Sequence, residues 1–138
     1  LNVGPDANGV IPNASIDVLR EVGSWLNING ESVYKTDPGP ELLFAHDWGY
    51  ITTNKNKIYF HILKWSRKIS IRGIASELDN ARILSTGEKV KYRSVYFNAD
   101  QMRRSYIYPP ESLKDDLNIV VVMDYKGGKI EMGSLDTL

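Results

Sequence analysis

The two histidines, His46 and His61, are the residues best suited to metal or acid–base chemistry. A zinc site needs three or four converging ligands, usually with closely spaced His or Cys pairs, and this chain has two histidines and no cysteine. His46 and Asp47 are adjacent and could be read as a base and the carboxylate that orients it. Neighbouring side chains of an extended segment point in opposite directions, however, so we discount this interpretation. His61 alternates with Tyr59 along a strand-like run, so we expect a packed, hydrogen-bonded histidine. No metal and no cofactor is predicted.

Aromatic residues concentrate in the strand-like segments, where they could serve either of two purposes. An exposed row of flat rings would bind the C–H faces of sugars, as in a carbohydrate-binding module. Rings also supply much of the buried area of a thin sandwich, and we favour this second interpretation. Tyr106 and Tyr108 are the best candidates for exposure. The residues concerned are Trp48, Tyr50, Tyr59, Trp65, Tyr92, Tyr96, Tyr106 and Tyr108.

Length and composition argue against several classes of function. The 138 residues carry 17 basic and 17 acidic side chains, so the formal net charge is zero. We therefore expect neither nucleic acid nor an anionic membrane as a partner. Basic residues are interleaved with acidic ones along the chain and predict no basic stripe. No apolar run approaches the length of a membrane span, and the sequence contains no nucleophile elbow and no glycine-rich phosphate loop.

One amphipathic helix is predicted over residues 13–29. Its apolar arc is formed by Val18, Leu19, Val22, Trp25 and Leu26. Asn13 after Pro12 predicts the N-cap, and Asn29-Gly30 predicts a left-handed stop. Trp25 is too large to remain in water, so the helix must lie against an apolar surface.

Strand signals dominate after residue 46. Turn signals at 54–56, 86–88 and 126–128 each separate two strand-like runs, which predicts three hairpins. Residues 58–63 and 119–123 are apolar on both faces and should form central strands that are covered on both sides. The predicted fold class is mainly β: an antiparallel β-sandwich preceded by one amphipathic α-helix.

The first residues of the chain, Leu1-Asn2-Val3, read as the end of a buried strand that runs into a turn. We therefore expect the chain to be the C-terminal piece of a longer protein, cut inside a strand–loop–helix unit. Asp6 and Asn8 lie in the loop after this strand and could face an active site. Because glycine, proline and asparagine are the residues that such a turn requires, we favour a purely structural turn.

The segment from Leu1 to Pro12 resembles the one that closes the catalytic barrel of the α-L-fucosidases of glycoside hydrolase family 29. The helix and its exit fit the same family through the stretches 22–26 and 29–34, and the first hairpin fits through 48–52 and 57–65. Ser66 departs from the pattern, since the family usually places proline there. From about residue 75 onward, the chain matches only the general appearance of the family's C-terminal β-sandwich.

This resemblance implies a division of the chain into three parts. Residues 1–34 would end the catalytic (β/α) barrel with its last strand end, loop and helix, residues 35–45 would be a linker, and residues 46–138 would form the C-terminal β-sandwich. The implied reaction is retaining hydrolysis of terminal α-L-fucose from glycans by an Asp nucleophile and a Glu acid/base, both upstream of Leu1. We therefore assign no catalytic residue to this chain, whose expected role is to brace the barrel.

Two alternatives remain open beside this interpretation. The aromatic content could indicate a β-sandwich module that recognises fucosylated glycans, and strands that are apolar on both faces could indicate an oligomer interface. The resemblance also implies a secreted, periplasmic or lysosomal parent protein.

Overall fold

In the computed structural model, the described residues are 3–42, 45–98 and 102–133. Helix α1 spans Asn13–Asn29 and continues into a short 3₁₀ turn, Gly30–Ser32. The strands of this described part are β1 Asp37–Pro38, β2 Gly49–Asn54, β3 Lys57–Ile62, β4 Ile69–Arg72, β5 Leu78–Ile83, β6 Lys91–Phe97, β7 Met102–Tyr108 and β8 Ile119–Tyr125. The strand end expected at Leu1–Val3 falls largely outside the described residues. The described part contains no helix that is long and apolar enough to cross a membrane.

The strands form two antiparallel sheets that enclose the core. One sheet has the order β1-β2-β3-β8-β5, and the other has the order β4-β7-β6. Strands β3 and β8 lie side by side within the larger sheet, as expected for strands that are apolar on both faces. Their alternate side chains, such as Phe60 and Val121, enter the core between the sheets. The predicted class, a mainly β sandwich preceded by one amphipathic helix, is confirmed.

Helix α1 has the predicted bounds, but both predicted caps are wrong. Pro12 is the N-cap, because its backbone is extended while its carbonyl accepts the N–H groups of Ser15 and Ile16. At the other end, Gly30 has right-handed dihedrals and carries the chain into the 3₁₀ turn. A Cβ atom at Gly30 would lie 2.9 Å from the ring of Tyr34, so this glycine permits a close approach rather than a left-handed turn.

Of the three predicted hairpins, only the first has the expected form. Strands β2 and β3 pair across a two-residue turn with Asn54 opposite Lys57. The second forms in part: Arg82 bridges Lys89 antiparallel across the turn at Gly87, and the chain then leaves, so that β5 and β6 belong to different sheets. The third is wrong, because the segment after β8 bridges Ile74 through Met132 instead of folding back on β8. The departure after the second turn carries the chain from one sheet to the other, as a sandwich requires.

Candidate functional site

The junction between helix α1 and the outer face of the larger sheet is the most elaborately built site in the described residues. Trp25 packs there on Tyr59, Val120 and Val122. Its indole N–H donates to the carbonyl oxygen of Asn118 at 3.2 Å. The helix therefore covers the second apolar face of β3 and β8.

A chain of hydrogen bonds runs from the end of α1 to His61. The Ser32 hydroxyl donates to the Asn29 carbonyl at 2.7 Å, and the Thr52 hydroxyl donates to the Ser32 carbonyl at 2.6 Å. Thr52 Oγ1 lies 3.1 Å from Nε2 of His61. The Thr52 hydroxyl has one proton, and this proton is already donated to Ser32. Its oxygen therefore accepts a hydrogen bond from the Nε2–H of His61.

The buried surroundings of His61 favour the neutral form of its imidazole. Burial lowers the pKa of His61 below the ordinary value of 6.5, and the nearby Ser32 carbonyl and Asn118 side chain oppose this effect only in part. The ring is buried and lies 6.4 Å from the ring of Trp25. The prediction of a packed, hydrogen-bonded histidine is confirmed.

Tyr59 and Glu31 form the polar rim of the same junction. The Tyr59 hydroxyl donates to Glu31 Oε1 at 3.2 Å, and Lys57 Nζ donates to the same oxygen at 3.0 Å. Burial, reinforced by the nearby Glu31 carboxylate, raises the pKa of Tyr59 to about 12. With this raised pKa, the Tyr59 hydroxyl keeps its proton at neutral pH and donates a hydrogen bond to the Glu31 carboxylate, so its role is structural.

Other carboxylates of the described residues also have structural partners. The Asp47 carboxylate pairs with Lys64, whose hydrogen bond and charge lower the pKa of Asp47. Asp124 contacts Arg82 at 3.4 Å, and Glu111 contacts Arg67 at the same distance. No three His, Cys, Asp or Glu side chains converge as a metal site in this part of the chain.

The loop before α1 closes on itself. Asp6 Oδ1 accepts the backbone N–H groups of Asn8 at 2.8 Å and Val10 at 2.9 Å. Its carboxylate therefore organises the turn, as expected when the loop is read as a structural element.

His46 and Asp47 do not act as a pair. The His46 ring stacks 4.7 Å from Trp48, whereas Asp47 contacts Lys64. Both residues line a surface groove of about 670 Å³ beside β4, together with Trp65. The sequence argument that the two side chains point apart agrees with these separate contacts.

Among the described residues, the aromatic side chains form no exposed row. Trp48 is buried and donates to the Ser70 carbonyl at 3.3 Å, and the Trp65 indole donates to the Pro110 carbonyl at 3.2 Å. Tyr106 and Tyr108 are only partly exposed, so the expectation that they are the most exposed is wrong. Tyr50 is instead 71% exposed.

Comparison with known sequences finds similarity to α-L-fucosidases. A family model for α-L-fucosidase matches residues 1–31. An α-L-fucosidase of Dictyostelium discoideum is 58% identical over 56 residues, which is 41% of this chain and 12% of the relative. The human plasma α-L-fucosidase is 35% identical over 68 residues, or 47% of this chain and 15% of the relative.

Solved structures match over nearly the whole chain. The α-L-fucosidase of Vibrio sp. strain EJY3 superposes with a TM-score of 0.80 and 25% identity, covering 96% of this chain and 23% of that one. Isoenzyme 1 from Paenibacillus thiaminolyticus has a TM-score of 0.71 and 36% identity, covering 92% of this chain and 30% of that one.

The helix-backed β-sandwich is thus of the type found in the C-terminal region of glycoside hydrolases. More particularly, the chain is similar in sequence and fold to the C-terminal region of the α-L-fucosidases of glycoside hydrolase family 29. It spans less than a third of the length of these relatives. The alternative of a sandwich module that binds fucosylated glycans is not favoured by these matches.

Proposed function

We propose that this chain is the C-terminal part of a longer α-L-fucosidase, in which it supports the catalytic domain without contributing catalytic groups. The parent would remove terminal α-L-fucose from glycans by a retaining mechanism. Such a mechanism needs two carboxyl groups about 5 Å apart across a sugar-sized pocket. The ion pairs of Asp47, Asp124 and Glu111 and the contacts of Glu31 instead tie these carboxylates to the fold.

The observation that carries this proposal is the uncovered N-terminal part of the apolar stripe of helix α1. Trp25 packs on the sheet, whereas Val18 is 59% exposed and Val22 is 46% exposed. Ile28 is exposed as well, as is Val10 in the preceding loop. Val18 and Val22 belong to the same apolar stripe as Trp25, so this stripe is covered by the sheet at one end and exposed at the other, as expected where a second apolar layer packs on the helix. The catalytic domain of the same protein would be the second layer.

The domain boundaries of the proposal follow from this arrangement. Residues 1–34 would complete a (β/α) barrel, residues 35–45 would link the two domains, and residues 46–138 would form the sandwich. The family match over residues 1–31 supports the first boundary. Asp37 and Pro38, inside the proposed linker, pair with β2, so the link would also be attached to the sandwich edge.

Expression of the full-length protein tests the proposal. We expect it to hydrolyse an aryl α-L-fucoside and to release α-L-fucose as the first anomer, which proton NMR detects before mutarotation. Replacing Glu31, Asp47 or Glu111 by the matching amide should leave kcat within a fewfold of the parent value. An inactive full-length protein, or loss of turnover with one of these amides, would contradict the proposal.

A further inference from the structure

The outer face of the smaller sheet carries an unbalanced positive charge. Strands β4, β6 and β7 place four basic residues on this face, Arg72, Lys91, Arg93 and Arg104, and contain no acidic residue. Arg103 alternates with Arg104 along β7 and therefore lies on the opposite face, where it donates to the Ala75 carbonyl. The chain as a whole is neutral, so its acidic groups lie elsewhere. The sequence prediction of no basic stripe is therefore wrong, because strand pairing joins segments that are separated along the chain.

Register places these cations on one surface. Arg93 lies opposite Tyr106, and Lys91 lies opposite Tyr108. Arg72 lies opposite Arg104 across the β4–β7 pair, and both have contacts of their own. Lys68, just before β4, reaches the same surface over Tyr106. We call this surface, formed by Lys68, Arg72, Lys91, Arg93, Arg104, Tyr106 and Tyr108, the basic face.

Aromatic rings hold several of these cations against the sheet. Lys68 Nζ lies 4.9 Å from the centre of the Tyr106 ring, and Lys91 Nζ lies 5.4 Å from that of Tyr108. The Arg104 guanidinium lies 4.3 Å from the Phe97 ring. Each contact offsets part of the repulsion between like charges and limits the motion of a flexible side chain. Cations ordered in advance lose less entropy when they bind an anion.

We propose that the basic face binds a sulfated polysaccharide. Neighbouring strands are about 4.8 Å apart and alternate residues about 6.8 Å apart, so the cations form a two-dimensional array. A chain with a sulfate on successive sugars meets several of these cations at once. Nucleic acid is disfavoured, because bases need open rings for stacking and the tyrosine rings here are already covered by ammonium groups.

The position of the basic face keeps it accessible in the proposed parent protein. Helix α1 packs on the outer side of the larger sheet, through Trp25 on Tyr59. The smaller sheet lies across the core from that side. A catalytic domain that covers α1 therefore leaves the basic face open, and this step alone rests on the proposed function.

Binding of heparin to the 138-residue chain tests the inference by titration calorimetry at several salt concentrations. We expect binding that weakens as salt rises, since each neutralised sulfate releases counterions. Combined substitution of Lys68→Glu, Lys91→Glu and Arg93→Glu should weaken binding about tenfold or more. The matched control is Lys114→Glu with Lys126→Glu and Lys129→Glu, an equal charge change at exposed positions elsewhere, which should leave affinity within about twofold.

A single variant keeps the test decisive if the triple variant unfolds. Arg93 is exposed and makes no hydrogen bond, ion pair or cation–π contact with the described residues, so Arg93→Ala should preserve the fold and still weaken binding severalfold. Equal loss in the control triple would overturn the inference, as would equal affinity for fully desulfated heparin. Tighter binding to anionic vesicles or to an oligonucleotide would overturn the choice of a polysaccharide. These outcomes are independent of fucoside hydrolysis, which is assayed separately.

Discussion

Single residues at the helix–sheet junction have roles that follow from burial rather than from chemical reactivity. The Nε2–H of His61 is held by a hydrogen bond to Thr52, and the ring lies near the apolar ring of Trp25. The alternation of His61 with Tyr59 was enough to predict a packed histidine. The sequence could not identify Thr52 as its acceptor, because that contact depends on the return of β2 beside β3.

The burial of His61 predicts a dependence of stability on pH. Its pKa is lower in the folded state than the unfolded value of 6.5, so the unfolded state binds the proton more readily. The stabilisation is present above that value and is lost as pH falls below it. Urea unfolding between about pH 8 and about pH 5 should therefore show a declining free energy of unfolding.

The other histidine provides the control for this prediction. His46 is exposed, so His46→Gln should keep the decline, whereas His61→Gln should reduce it. A free energy of unfolding that is constant over this pH range, or a decline removed by His46→Gln alone, would show that His61 is not the responsible group.

Substitution of glycine by alanine should have opposite effects on stability at Gly49 and at Gly23. At the start of β2, a Cβ atom on Gly49 would lie 1.7 Å from the backbone oxygen of His61, which cannot move without disturbing the β2–β3 pair. Gly49→Ala should destabilise the chain by about 3 kcal/mol or more. A Cβ atom on Gly23, within α1, meets nothing within 4 Å, so Gly23→Ala should stabilise by up to about 1 kcal/mol. Melting temperatures that move in the same direction would contradict this account.

Among the elements, α1 shows how far periodicity reaches. Its bounds were predictable from the spacing of apolar residues, and Trp25 was correctly expected on the buried side. The predicted arc also contained Val18 and Val22, which are exposed in this chain. The helical spacing of apolar residues indicates which side chains should be buried, but it does not indicate which neighbouring layer covers each of them.

Substitutions in the covered part and in the exposed part of the apolar stripe of α1 should have different effects on stability in the 138-residue chain and in the full-length protein. Trp25→Ala removes packing on Tyr59 and should cost about 3–5 kcal/mol in the full-length protein. Val22→Ala should change the stability of the isolated chain by less than about 0.5 kcal/mol. In the full-length protein it should cost about 1.5 kcal/mol, the value of two buried methylene equivalents. Equal effects of Val22→Ala in both contexts would argue against a second layer over α1.

The connections between strands show that the local sequence predicts the turns but not all of the strand pairings. Lys55 and Asn56 form a turn within the predicted segment 54–56, and the local sequence was sufficient for that. Near Gly87 the predicted pairing begins with the Arg82–Lys89 bridge before the chain leaves for the other sheet, and after Gly127 the chain pairs with Ile74 instead. Turn chemistry fixes the direction of the chain over a few residues. Sheet membership depends on which distant strand completes the core, as Met132 and Ile74 illustrate.

For the whole molecule, the fold class was predictable because it depends on the number and pattern of apolar strands. The basic face was not, since it arises from the pairing of β4, β6 and β7, whose residues are far apart in sequence. The fucosidase resemblance came from short local segments, chiefly the first twelve residues and the region around Trp25. The family match over residues 1–31 and the structural matches over most of the chain support it.

The central claim is that hydrolytic groups lie outside this chain, and assay of the purified 138-residue chain tests it most directly. We expect no cleavage of an aryl α-L-fucoside above the buffer rate, under conditions where the full-length protein turns over. Cleavage by the isolated chain that is abolished by replacing one of its own carboxylates, such as Glu31 or Asp124, would contradict the account.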